Sequence, residues 1–183
     1  MLKNILLFPF VILHIIAYLR SPKKSIIKAD ICRWKTIRNY INCDHEIKSL
    51  IKLLIHQKDF RTQFYLRIGS ERALLKLLLK PVPCDIEGDV FGEGLLLIHG
   101  YGIVVNGDTK VGKNCTIYHG VTLGVANDLN IAPIIGDNVF IGCDAKVLGG
   151  IHIGNNVKIG AGAIVVDDVP DNSTVVGPKA KII

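Results

Sequence analysis

From Val111 onward, large aliphatic residues return at every sixth position: Val111, Ile117, Leu123, Ile135, Ile141, Val147, Ile153, Ile159 and Val165, with one step of twelve after Leu123. Glycine follows directly at 112, 124, 136, 142, 154 and 160. An amphipathic helix repeats near 3.6 residues and a half-buried strand every second residue, so a period of six fits neither as a continuous element. It fits a coil with three flat sides, each side a short strand. One apolar side chain per side would point inward, and a small residue after it would let the backbone turn the corner. Collagen needs glycine at every third position and a low-complexity linker is monotonous; the sequence has neither property. The expected fold is mainly β, a parallel β-helix of stacked coils with an N-terminal α-helical segment.

The helical segment is set apart by what it lacks. Of 18 glycines, only Gly69 falls in the first 80 residues. We divide the chain into a helical region over 1–83 and a β-helix over 84–183, with Pro81 and Pro83 stopping the last helix. In "DHEIKSLIKLLIHQ", Ile47, Leu50, Ile51, Leu54 and Ile55 form one apolar stripe, and Asp44 is a candidate N-cap. "KDFRTQFYLRIG" reads as a short helix ended by Gly69, and "ERALLKLLLK" as a further helical stretch.

"NILLFPFVILHIIAYL", residues 4–19, has no formal charge and is flanked by Lys3, Arg20, Lys23 and Lys24. It falls short of the roughly 20 apolar residues a membrane span needs, and Pro9 and His14 interrupt it. No small-residue cleavage site follows, which argues against a cleaved signal peptide. The leading expectation is a hydrophobic helix buried against the rest of the chain or a neighbouring subunit. The second is an interfacial anchor on anionic lipid, a peripheral contact with the inner face of the membrane; a true span comes third.

The net charge is +6, much of it before Lys80. No aromatic-rich basic stripe, zinc-finger spacing or helix-turn-helix signal accompanies it, so no nucleic-acid partner is expected. Cys32, Cys43, Cys84, Cys115 and Cys143 are odd in number, widely spaced and free of any Cys-x-x-Cys pair. That pattern indicates free thiols in a reducing cytoplasm rather than a disulfide framework or a zinc site.

The period breaks at one place with chemistry in it. Phe91 to Leu97 is a step of six, but Leu97 to Val105 is a step of eight, so two residues are surplus. A bulge there carries His99, with Gly100 and Gly102 supplying backbone freedom. The competing placement puts His99 inward, since it also lies six before Val105, where a lone polar ring would need a buried partner. An imidazole outside the stack, titrating near neutrality, suits a general base that takes a hydroxyl proton. A second break, "ANDLNIAP", lacks the glycine after Leu129 and contains Pro133. It is either a loop leaving the coil or a distorted coil edge.

"GEGLLLIHGYGIVVNGDTKVGKNCTIYHGVTLG" and "IIGDNVFIGCDAKVLGGIHIGNNVKIGAGAIVVDDVPDNSTVVGPKAKII" resemble the serine acetyltransferase branch of the hexapeptide-repeat acyltransferases, a likeness covering Asp85 to Ile183. The resemblance implies a left-handed parallel β-helix of about eighteen residues per coil, an exception to the right-handed crossover rule. It implies acetyl-CoA as co-substrate, and a homotrimer with active sites between subunits. By it His99 matches the catalytic histidine, and Gly124, Val125, Cys143 and Ala161 match positions along which coenzyme A lies. Cys143 is then a backbone contact and not a nucleophile. Lys179 and Lys181 are candidates for the coenzyme A phosphates, and a backbone N–H near Gly124 for the oxyanion.

The family's orienting aspartate corresponds to Asp85 in "DIEG", ahead of Glu87 and Asp89, although one residue is missing before Phe91. His119, at a glutamine position of the family, is expected to line the cleft with Ile98 and Tyr101. His14, His45, His56 and His152 are expected to be packing or surface groups.

Two departures bear on the acceptor. Ile98 stands where serine-specific members carry Asp, and Ile131 and Ala132 stand where they carry an Arg-His pair. Apolar groups cannot grip an amino acid's charged ends. The expected acceptor is therefore a sugar or polysaccharide precursor, with serine as the alternative. Direct transfer in a ternary complex needs no metal. Two remoter readings are a zinc carbonic anhydrase and a non-catalytic scaffold. The first would require His99, His119 and His152 to converge despite gaps of 20 and 33 residues.

Overall fold

The computed structural model describes residues 2–37, 45–69, 76, 78–126 and 131–177, with side chains from residue 11 onward. The chain divides into two compact units, Met1–Val82 and Pro83–Ile183.

The first unit contains α1 (Leu2–Leu19), α2 (Lys24–Ile37), α3 (Glu46–His56) and α4 (Lys58–Ile68). The apolar stripe of α3 is buried at Leu50, Leu53 and Leu54. Its expected cap, Asp44, lies outside the described residues, as does most of "ERALLKLLLK"; His45 precedes the helix without a side-chain cap. Gly69, at φ 83°, ends α4 as expected. Trp34 packs edge-on to Phe60, 6.1 Å between ring centroids, and donates its indole N–H to Gln63 at 2.9 Å. Arg67 and Asp30 form a buried ion pair at 2.9 Å, each group satisfying a charge that burial would otherwise strand.

On α1, Val11, His14, Ala17 and Tyr18 are buried, while Ile12, Leu13, Ile16 and Leu19 are 39–52% exposed. Over residues 11–19 only one face of the helix is therefore packed. Tyr65 gives its hydroxyl hydrogen to the Leu79 carbonyl at 2.9 Å, so His14 Nε2, 2.7 Å away, is the donor to Tyr65. Burial pushes the Tyr65 hydroxyl up to about 12, which keeps that hydrogen in place. Among the described residues no helix is long and apolar enough to cross a membrane.

The second unit is a three-sided coil of short parallel strands. Side one stacks Asp85–Ile86, Val104–Val105, Thr122–Gly124, Lys146–Leu148 and Ile164–Val165. Side two stacks Lys110–Val111, Ile134–Ile135 and His152–Ile153; side three stacks Leu96–Ile98, Thr116–Tyr118, Phe140–Ile141, Lys158–Ile159 and Thr174–Val175. The six-residue ladder is the inward row: Leu97, Ile117, Ile141 and Ile159 pair on side three, and Val105, Leu123, Val147 and Val165 on side one. All are at most 4% exposed.

The structure corrects the sequence picture twice. Each side sends two residues inward, not one: Ile103, Thr109, Cys115, Val121, Val139, Ala145, Ile151, Val157 and Ala163 form a second buried row, two positions ahead of the first. The glycines after the ladder residues do not turn the corners either. A Cβ on Gly112 would stand 2.7 Å from the Gly136 backbone, and one on Gly142 would stand 2.6 Å from the Ala161 nitrogen. Glycine is required there because successive coils nearly touch.

At two of the three edges the corners are made by left-handed residues, three positions after the ladder except at Gly102. Between sides two and three these are Asn114, Asn138, Asn156 and Asn172, at φ 57° to 60°. Asparagine tolerates this conformation better than most residues. Their side-chain amides form a continuous ladder, Asn114 donating to Asn138, Asn138 to Asn156 and Asn156 to Asn172, at 3.0–3.1 Å.

The irregular segments resolve through register. Leu97 pairs with Ile117, twenty residues on, whereas Val105 pairs with Leu123, eighteen on; the first coil thus carries the two surplus residues. Val111 pairs with Ile135, so six more residues than a regular coil uses pass between Leu123 and Ile135. Of "ANDLNIAP", residues 127–130 lie outside the described residues, so the choice between a loop and a distorted edge falls there.

Candidate active site

The surplus pair falls at the edge where side three turns into side one. Ile98 ends its strand paired with Tyr118, and the ordinary coil resumes at Tyr101, whose carbonyl accepts from Gly120 N–H at 3.0 Å. His99 lies between them, exposed, at φ 50°. The inward positions around it are taken by Leu97, Ile103 and Val105. The imidazole is therefore outside the stack, and the inward alternative is excluded.

The same edge collects four of the other expected residues. Asp144 N–H donates to the His119 carbonyl at 2.9 Å and Gly162 N–H to the Cys143 carbonyl at 2.8 Å. With the Gly120 to Tyr101 bond, these place Tyr101, His119, Cys143 and Ala161 in one column, one per coil. Tyr101, 55% exposed, stacks flat on His119, centroids 5.0 Å apart and planes 12° apart. The left-handed residues beside this column are Gly102, Gly120, Asp144 and Gly162. Three glycines in four leave the edge bare.

Asp85, Gly124 and Val125 lie on the adjoining side one, in an open groove of about 280 Å³ lined also by Glu87, Val104, Asn106 and Thr122. Asp85 begins its strand next to the His99 turn: Cys84 donates its thiol hydrogen to the Gly100 carbonyl and Asp85 N–H bonds the Ile103 carbonyl at 2.9 Å. Among the described residues no hydrogen bond or ion pair joins the Asp85 and His99 side chains. Ile98 is buried to 9% exposure, which makes it apolar backing for the edge and leaves little of it to touch a ligand. Glu87 and Asp89 are exposed. Lys179 and Lys181 lie outside the described residues.

The remaining histidines do not converge. His152 is exposed on side two, His14 is packed, and His45 and His56 are on the helical unit's surface. A three-histidine metal centre of the carbonic anhydrase kind is not assembled within the chain. Cys32 and Cys143 are free thiols, and Cys43 lies outside the described residues.

Two residues at the edge escaped the sequence reading. Lys146 reaches over to the Gly120 carbonyl, fixing the turn beside His119. Asp144 occupies a corner that is glycine in the coils on either side, and its carboxylate stands over Gly120. The signal for Asp144 was available: it lies three past a ladder residue, like the corner asparagines.

Comparison with known proteins agrees with this geometry. A family model described as bacterial transferase hexapeptide (six repeats) matches residues 132–167. Serine acetyltransferase of Helicobacter pylori (strain ATCC 700392 / 26695) is 48% identical over 98 residues, 52% of this chain and 57% of that protein. The crystal structure of Neisseria gonorrhoeae serine acetyltransferase in complex with serine aligns at TM-score 0.64 and 33% identity, over 87% of this chain and 68% of that one. A serine acetyltransferase in complex with CoA aligns at TM-score 0.66 and 26% identity, over 91% of this chain and 72% of that one. The chain spans only 40–57% of the curated relatives it matches.

The fold, with the hexapeptide family model matched over residues 132–167, makes the second unit a hexapeptide-repeat β-helix, and its coil is the left-handed one. Within that class it belongs to the serine acetyltransferase family. The relatives named here carry serine and CoA in their descriptions and none carries a sugar, so the saccharide expectation gains no support from them.

Proposed function

We propose that the protein is an acetyl-CoA-dependent O-acetyltransferase, and that serine is its acceptor. The observation that carries the reading is His99, exposed and left-handed at an edge lined by Tyr101, His119, Cys143 and Ala161. In the proposed step His99 takes the proton of the acceptor hydroxyl while that oxygen bonds to the thioester carbonyl carbon. The carbon–sulfur bond breaks, coenzyme A leaves, and its sulfur takes the proton back from the imidazolium. A backbone N–H near Gly124 stabilises the oxyanion, a role worth about 2.7–4 kcal/mol in enzymes where it has been removed. Asp85 orients the imidazole, Cys143 and Ala161 offer backbone to the pantetheine arm, and Lys179 and Lys181 meet the phosphates. No step uses a metal.

In this reading a homotrimer completes the site: the His99 edge of one copy and the Gly124–Val125 border of side one, opposite borders of one side within a chain, come together between copies. We assign the protein to the cytoplasm, where acetyl-CoA is made. There the outward row of α1, with Arg20, Lys23 and Lys24 after it, gives peripheral contact with anionic lipid. A saccharide remains a second reading of the acceptor, favoured by the flat, exposed Tyr101 ring stacked on His119.

The test is coenzyme A release by the purified chain over serine, nucleotide sugars and oligosaccharides, with His99→Ala as control. Serine-dependent release that the variant loses supports the proposal, and release with saccharides alone replaces the acceptor. No release with any acceptor, or a fully active His99→Ala, refutes acyl transfer at this edge.

A further inference from the structure

We propose that His119, Cys143 and Asp144 form a zinc(II) site on the bare edge. One ring nitrogen, the Cys143 Sγ and one Asp144 carboxylate oxygen all lie within 4.8 Å of one another. In a tetrahedral site built on bonds of roughly 2.0–2.3 Å, such atoms stand about 3.3–3.8 Å apart, so closure takes a side-chain adjustment of about 1.5 Å at most. The backbone already holds the three in place: Asp144 N–H is bonded to the His119 carbonyl at 2.9 Å, and Asp144 is fixed at φ 59°. Gly120 has no Cβ where the Asp144 carboxylate sits.

A second observation points to a ligand. Among the described residues none of the three side chains makes a hydrogen bond or ion pair. The His119 Nδ1 atom is buried without any partner, which is an unfavourable state for a ring nitrogen. Lys146, the nearby cation, is engaged with the Gly120 carbonyl and not with Asp144. Thiolate, imidazole and carboxylate together select zinc over magnesium or calcium, and three protein ligands leave a fourth position for water. Binding converts the Cys143 thiol to thiolate and releases its proton to solvent, so uptake is stronger at higher pH.

The consequence rests on the function proposed above: a zinc ion on Cys143 and His119 occupies the edge along which the acyl donor would lie, and closes it reversibly.

Cobalt(II) titration of the full chain reads the site directly. Wild type is expected to bind one equivalent, with tetrahedral visible bands and a sulfur-to-cobalt charge-transfer band that zinc displaces. Cys143→Ser should abolish the charge-transfer band, and Asp144→Asn should weaken binding by more than the roughly 10–100-fold that loss of an outer partner costs. Cys32→Ser, an exposed cysteine elsewhere, should change nothing. Far-ultraviolet circular dichroism checks each variant, and the near-isosteric Asp144→Asn carries the test if Cys143→Ser does not fold. No cobalt uptake by wild type, a charge-transfer band that survives Cys143→Ser, or unchanged affinity in Asp144→Asn overturns the site. If the site binds but zinc inhibits acetyl transfer equally in wild type and Asp144→Asn, edge closure is refuted. Metal uptake by a chain that never transfers acetyl leaves the site standing and refutes the function.

Discussion

Two edges of the same prism are built at equivalent positions with opposite side chains. Between sides two and three, the four corner pairs are Lys113–Asn114, Asp137–Asn138, Asn155–Asn156 and Asp171–Asn172. There the asparagine ladder runs beside a second set of bonds, from Lys113 N–H to Asp137, Asp137 N–H to Asn155 and Asn155 N–H to Asp171, at 2.6–2.8 Å. Between sides three and one, the pairs are Tyr101–Gly102, His119–Gly120, Cys143–Asp144 and Ala161–Gly162. Neither side-chain set runs there: the backbone rungs, at 2.8–3.0 Å, are joined only by the Lys146 bond to the Gly120 carbonyl among the described residues. The backbone path is the same at both edges, so the coil does not need the side-chain zipper to turn. One edge is closed by its own polar groups, and the other is kept clear, with one histidine thrown outward beside it.

The largest effect should come from the histidine that makes the two edges different. His99→Ala removes the base without touching a buried position, so the protein should still express and fold, losing at most the roughly 1–2 kcal/mol of left-handed strain that alanine carries at φ 50°. The rate of coenzyme A release should fall about 10²–10⁴-fold, the usual worth of a positioned general base. A loss of under tenfold would make the bare edge something other than the reaction site.

Next comes close packing, which the two edges share. Gly112→Ala drives a Cβ against the Gly136 backbone, which cannot move aside. Overpacking of this kind costs about 1–3 kcal/mol, read as a lower denaturant midpoint. A neutral result would mean the coils can spread, and that the glycine after each ladder residue has a different cause.

Asn138→Ala tests the zipped edge itself. It deletes one donated and one accepted ladder bond and leaves alanine at φ 58°. Left-handed strain alone costs about 1–2 kcal/mol. Asn138→Gly loses the same bonds without the strain, so it should be milder by about that amount. Equal losses would assign the asparagines to the ladder and not to the corner.

How much of this was readable beforehand depends on contrast. The ladder stood out because its positions hold only large aliphatics, six of the nine followed by glycine. The second inward row hid because Thr109, Cys115, Ala145 and Ala163 are small and look like surface. His99 was found by a counting anomaly, eight where six was due, and counting is unaffected by chemistry. The asparagine ladder was missed although its residues are identical, since 114, 138, 156 and 172 are not evenly spaced. The six surplus residues after Leu123 stretch one interval and the shortened last coil contracts another. That same insertion brings Cys143 and Asp144 under His119, a proximity that no regular period announces. For α1 the apolar sequence concealed which face packs, because both faces are apolar.

The smallest effect on stability is the sharpest test of what the bare edge is for. A Cβ on Gly162 would meet nothing within 4 Å, and the residue sits at φ 66°, an angle asparagine accepts on the other edge. Gly162→Asn therefore imports the zipped edge's residue into the open one. Surface substitutions without a packing or hydrogen-bonding consequence stay within about 0.5 kcal/mol, and the denaturation midpoint should move no more than that. The side chain would nevertheless stand beside Ala161, where the acyl donor is expected to lie. The KM for acetyl-CoA should then rise several-fold, with kcat at saturating donor little changed, because the obstruction acts on binding and leaves His99 untouched. If stability and KM both stay put, glycine at this edge serves no ligand, and its contrast with the asparagine edge lacks a functional cause.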